Sequence, residues 1–182
     1  LLIPVAFTVA FVAGMPMRLL GIVALAGLLL APVAWKFALQ DYQQERILIF
    51  LDPSQDARGA GYQQIQARIT VGSGGAWGQG FTEGTQGQLR FLPVAHNDFI
   101  FAMIGEEWGL VGVTMAVSLY MLLILIGFRV ASRAPDLFGQ LLAVGLTSMI
   151  AMHAILHMAV GLGLVPPTGL ALPLISYGRS NL

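Results

Sequence analysis

Cysteine is absent from the 182 residues, which excludes disulfides, thiol chemistry and Cys-ligated zinc. Charge is scarce as well. Only 10% of the residues are Asp, Glu, Lys or Arg, against about 25% in ordinary globular proteins. Nine basic residues balance nine acidic ones. With no cationic surplus to neutralise phosphates, nucleic acid is not an expected partner. Disorder needs low hydrophobicity and high charge, and a hydrophobic content of 57% excludes it. No solenoid-period repeat, P-loop, GxSxG elbow or HExxH pair is visible in the sequence.

What the chain has is long apolar runs. A bilayer crossing takes about 20 predominantly apolar residues. Residues 19–35, 99–128 and 137–165 meet that length and read as transmembrane helices. Residues 1–13 are apolar but shorter, without the charged leader of a signal peptide; they are expected to be part of a helix. Another apolar run opens at Leu172 and predicts the start of a further helix over 172–182. The expected fold is therefore all-α, a polytopic transmembrane helical bundle truncated at both ends. It forms a single membrane domain.

Residues 36–97 differ in kind. They hold five of the nine basic residues and five of the nine acidic ones, with many Gly and Gln. A connection this long is usually functional or disordered. Ile65, Ile69 and Val71 favour order, and a short amphipathic helix is expected over 62–69. The following VGSGGAWGQG is too rich in Gly for regular helix. Arg18 precedes the second apolar segment, while Arg129 and Arg133 follow the third. One long loop between two spans puts these three on the same side. The positive-inside rule makes that side cytoplasmic, so the large loop is expected to be extracellular.

Few residues can carry chemistry. Asp98 stands where the polar loop meets an apolar segment, in HNDFIFAMIGEEWG. Spacing alone favours a helix N-cap, where Asp suits the positive end of the dipole. The alternative is a general base at the membrane surface. Glu106 and Glu107 lie about 12–14 Å deeper if the helix is continuous. There they either line a watery cavity or serve as paired packing groups. His153 and His157, spaced i, i+4, share a helix face. No Asp, Glu or Cys accompanies them nearby, so interhelical hydrogen bonding is expected and no metal site is assigned. Arg68 and Arg90 flank the Gly-rich run and suit bidentate phosphate recognition, or are simply solvated. His96 sits beside the aspartate and could orient a hydroxyl. Pro166, Pro167, Gly169 and Pro173 interrupt the last apolar stretch, and a polar SYGRSN patch with Ser176 and Arg179 follows. Irregular backbone at membrane depth must be covered by protein or line a cavity, so a cavity open to the outer face is expected.

Together, DPSQDARGAGYQ, GSGGAWGQGFTEGTQGQLRFLPVAHNDFIFAMIGEEWGLVG and LPLISYGRS resemble the SEDS family of bacterial cell-envelope proteins (RodA, FtsW, SpoVE). The resemblance covers nearly the whole chain, and GTQGQL before FLP looks more like the RodA branch. It implies a ten-helix enzyme of the bacterial inner membrane that polymerises lipid II into glycan strands during cell elongation. Its implied partners are lipid II, undecaprenyl-pyrophosphate-linked glycan, the bilayer and a class B penicillin-binding protein. The family's essential aspartate lies in an HTDF motif that matches His96, Asn97, Asp98 and Phe99, which raises the base reading of Asp98 above the cap. The chain departs from the usual pattern at Val94 (usually Glu), Asn97 (usually Thr), Arg179 (usually Gly) and His157 (often Asn). None of these removes the aspartate.

The resemblance implies that a sugar 4-hydroxyl attacks an anomeric carbon and expels undecaprenyl pyrophosphate. Asp98 is then the candidate base, with Arg68, Arg90 or a divalent cation stabilising the leaving group. His96, Glu106, Glu107, Ser176 and Arg179 are candidates for substrate binding. Two other classes stay open: a flippase for lipid-linked saccharides, which would use the same cavity, and a non-catalytic membrane scaffold that recruits a penicillin-binding protein. A fragment lacking half the cavity is expected to be inactive alone.

Overall fold

The computed structural model describes residues 2–37, 39–53, 56, 59–80, 99–166 and 169–176. Among them are six α-helices and no strand. They are α1 (Leu2–Val12), α2 (Met17–Phe37), α3 (Asp41–Leu51), α4 (Ala60–Ser73), α5 (Ile100–Ser132) and α6 (Leu137–Gly161). Helices α2, α5 and α6 are long and apolar enough to cross a membrane. The chain is a helical membrane protein.

The contacts divide the chain into two compact units. The first comprises Leu1–Glu45 and Leu122–Met152. Helix α2 begins after Pro16, whose carbonyl accepts from Leu19 and Leu20; a proline just ahead of a helix loses nothing by lacking an N–H. Lys36 in its last turn suits the negative dipole end. No α2 residue is buried. Gln44 of α3 donates its amide to the carbonyls of Trp35 (2.8 Å) and Leu39 (3.2 Å), satisfying one acceptor in the last turn of α2 and one just past it. Helix α6 is capped by Asp136, whose carboxylate accepts from Gly139 N–H at 2.7 Å. A side chain at Gly127 would collide with Thr147, so α5 and α6 cross closely there, the small-residue packing usual in membranes.

The second unit comprises Arg46–Met121 and His153–Leu182. Helix α4 spans more than the short helix expected over 62–69. Its Gly61, Gln64, Ala67 and Thr70 are buried, a three-residue spacing that marks one face. Ala67 packs with Phe99, Ala102 and Val160 in one core, flanked by Val71, Met103 and Val165. A second core joins Tyr120, Ala154 and Leu172, with Ile100 and Met158 against it.

Two expectations change here. Helix α6 stops at Gly161, short of residue 165, because Leu164 N–H bonds Ala159 O and Gly163 N–H bonds Val160 O. That is the Schellman closure, with Gly163 at φ 68. The expected helix from Leu172 is instead a turn as far as residue 176. Ser176 N–H and Ile175 N–H both return to Leu172 O, and Leu174 takes φ 69.

The segment between α6 and this turn is held by its carbonyls. Tyr120 donates its hydroxyl to Pro173 O, and His157 Nδ1 lies 2.7 Å from Leu170 O. A carbonyl only accepts, so the His157 proton sits on Nδ1. Non-helical backbone at this depth needs such partners. Tyr120→Phe is expected to cost about 1–3 kcal/mol by leaving a carbonyl without its donor, read as a lowered melting temperature in detergent.

Candidate functional site

Helix α5 is broken. Gly109 has φ 62 and ψ −154, outside helical geometry, in a region of backbone space open essentially to glycine alone. The helix therefore consists of two segments, residues 100–108 and 110–132. An unbroken helix would bond Leu110 N–H to Glu106 O and Val111 N–H to Glu107 O. At the Gly109 break the Gly-rich turn over 74–80, which follows α4, lies against these groups.

All four groups find new partners in that turn. Gln79 N–H donates to Glu106 O at 2.9 Å, and Gly80 N–H to Glu107 O at 3.1 Å. Leu110 N–H donates to Gly75 O at 3.0 Å, and Val111 N–H to Ala76 O at 3.4 Å. The two backbones touch, which explains the glycines. A Cβ at Gly74 would meet Gly105 O, one at Gly78 would meet Glu107 O, and one at Gly109 would meet Gly78 N. A broken membrane helix commonly offers its free dipole ends to an ion or substrate. Here the chain's own turn occupies them.

The predicted site residues are distributed around this interlock. Glu106 and Glu107 end the first α5 segment; Glu106 is 1% exposed and Glu107 is half-buried. Their main-chain carbonyls hold the turn, a role that sequence reading had not given them. Arg68, on α4, donates to Gly163 O across 95 residues. This places a cation at the negative end of α6 and ties α4 to the Schellman closure. Arg68→Ala is expected to cost about 1 kcal/mol, measured as a shift in thermal unfolding. Ser176 Oγ accepts from Leu172 N–H at 2.9 Å, closing its own turn. Arg90, His96, Asp98 and Arg179 lie outside the described residues.

Phe99 is described, and it sets the start of α5. Its carbonyl accepts from Ala102 N–H (2.9 Å) and Met103 N–H (3.2 Å), which makes it the N-cap. Its ring is 1% exposed in the core with Ala67 and Val160. The cap position is therefore taken by the residue after Asp98.

Helix α5 also borders an apolar groove of about 290 Å³, lined by Ile104, Trp108, Met115, Leu119 and Ile175 among others. Its lining side chains are hydrocarbon, thioether or indole, so it suits an alkyl chain and offers a sugar little hydrogen bonding. His153 and His157 are joined by no third metal-ligating group among the described residues. The sequence signal for the interlock was the cluster Gly74, Gly75, Gly78 and Gly80 together with Gly109. Read as sequence, the 74–80 run was only too rich in Gly for regular helix, and Gly109 carried no reading of its own.

The sequence model of the FtsW, RodA and SpoVE family, described as a cell cycle protein, matches residues 1–182. An Escherichia coli (strain K12) protein named Peptidoglycan glycosyltransferase MrdB is 43% identical over 174 residues, covering 96% of this chain and 47% of the relative. A Geobacter sp. (strain M18) protein named Probable peptidoglycan glycosyltransferase FtsW is 41% identical over 184 residues, covering 100% of this chain and 48% of the relative. A solved structure described as "Structural coordination of polymerization and crosslinking by a peptidoglycan synthase complex" contains a similar chain. It aligns with a TM-score of 0.77 at 37% identity, over 98% of this chain and 48% of that one. The chain spans about half the length of the curated relatives it matches.

Proposed function

Because the chain belongs to the FtsW/RodA/SpoVE family of cell cycle proteins, we propose that the complete protein is a peptidoglycan glycosyltransferase that polymerises lipid II. The family match along residues 1–182 carries this reading, with the aspartate of the resembled motif intact at Asp98. Lipid II and undecaprenyl-pyrophosphate-linked glycan are its substrates, and a class B penicillin-binding protein is its partner. It resides in the bacterial inner membrane, with Arg18, Arg129 and Arg133 inside and the 36–97 region outside. The GTQGQL segment supports an elongation role; relatives bearing the MrdB and FtsW names are similarly close.

In this mechanism Asp98 accepts the proton of the attacking 4-hydroxyl as the oxygen bonds to the anomeric carbon. The bond to undecaprenyl pyrophosphate breaks in the same displacement, inverting that carbon. The pyrophosphate leaves with its charge balanced by Arg68 or Arg90, or by a divalent cation. Arg68 is held by Gly163 O, which orients its guanidinium fork. His96, Glu106, Glu107, Ser176 and Arg179 complete the proposed substrate contacts.

The test is product analysis. The complete protein, reconstituted with lipid II in vesicles, is expected to lengthen glycan strands. Lipid II that changes leaflet without growing would identify a flippase instead. Neither outcome, with a penicillin-binding protein still recruited, would leave only a scaffold.

A further inference from the structure

The first α5 segment runs only from the Phe99 cap to Trp108. At its far end the non-helical backbone of Gly109 separates it from the longer second segment. It is instead fastened at both ends to α4 and the turn that follows α4. At the start, Phe99 and Ala102 pack on Ala67. At the end, Glu106 O and Glu107 O accept from Gln79 and Gly80. The short segment is thus oriented by α4 and the 74–80 turn, and Asp98 directly precedes it in the chain.

We propose that Gly109 and the 74–80 turn are positioning residues for the glycosyl transfer, holding the short α5 segment at the angle that the reaction requires. This rests on the polymerase reading above. None of these residues touches substrate. If the turn were withdrawn, Leu110 N–H and Val111 N–H would be free to bond Glu106 O and Glu107 O. Helix α5 would then straighten, re-aiming everything attached to its first two turns. Small displacements of a reacting group have large effects on rate, so the interlock is expected to act on kcat more than on KM.

Two variants of the complete protein test this. Gly109→Ala places a Cβ against Gly78 N at a backbone geometry that alanine does not hold. Gly74→Ala tests space alone: its φ of −73 is ordinary, and a close contact with Gly105 O and Glu106 O opposes it. For each, hydrogen exchange at Leu110 and Val111 reports the interlock, thermal unfolding reports the fold, and lipid II polymerisation gives kcat and KM. The expected result is a folded protein with altered exchange at these two amides, kcat reduced at least tenfold and KM within threefold.

Wild-type kcat with altered exchange would overturn the proposal. So would unchanged exchange in Gly109→Ala, since the interlock requires that no Cβ fit there. A change in KM alone would move these residues into substrate binding. Failure of both variants to fold would make the interlock a requirement of the fold, and not a positioning element. The polymerase reading fails separately, if the wild-type protein makes no glycan.

Discussion

Asp98→Asn in the complete protein is expected to lower lipid II polymerisation by about 10²- to 10⁴-fold, the usual contribution of a positioned general base. Asparagine keeps the size and removes the proton acceptor, so folding and lipid II binding are expected to survive. The control is Asp98→Ala, which should be as inactive. If both variants bind lipid II like wild type and polymerise it undiminished, Asp98 is not the base. Should Asp98→Asn lose stability instead of rate, the residue serves the start of α5 and the base must be sought elsewhere. The geometry of Phe99 bears on this choice. The carbonyl of Phe99 takes the first helical bonds, which puts Phe99 at the N-cap position without giving the first-turn N–H groups a side-chain acceptor. The cap was the reading that spacing alone had favoured.

Phe99→Ala is the second large effect, and it acts on stability. The ring is 1% exposed and packs with Ala67, Ala102 and Val160, thereby joining α4, α5 and α6. Removing a buried phenyl ring costs about 3–5 kcal/mol, through lost transfer energy and the cavity left behind. Two of its neighbours are alanines that cannot move in to fill the space, so the upper part of that range is expected. Phe99→Leu should recover much of the loss. Melting temperatures of the two variants in the same detergent measure it. Equal melting of wild type and Phe99→Ala would mean that this core does not bear on the stability of the unit.

Much of the fold was legible because lipid imposes a local rule. A span must be long, apolar and helical, since only a helix satisfies its own backbone in hydrocarbon. That rule is written in consecutive residues, and α2, α5 and α6 could be read from it. The ends of helices were less legible. The stop of α6 at Gly161 depends on a Schellman closure whose glycine, Gly163, lies inside an apolar run. The turn after Leu172 depends on Ser176 Oγ returning to Leu172 N–H. Both bonds outweigh a run of helix-compatible residues.

By itself the sequence determined the solvent, the spanning segments, the family and the aspartate most worth testing, because each is encoded in composition or in contiguous motifs. Only the tertiary structure decided what the cysteine-free, charge-poor chain does with its polar backbone. The break at Gly109 depends on a turn about 30 residues upstream, Arg68 on a carbonyl 95 residues away, and Pro173 O on Tyr120. The competing hydrogen bonds of α5 are equivalent in sequence. The insertion of the 74–80 turn is chosen by shape, because glycine alone lets two backbones approach so closely. A periodic pattern carries no trace of that choice, since it records which face of a helix is buried and not which distant carbonyl its N–H groups will find.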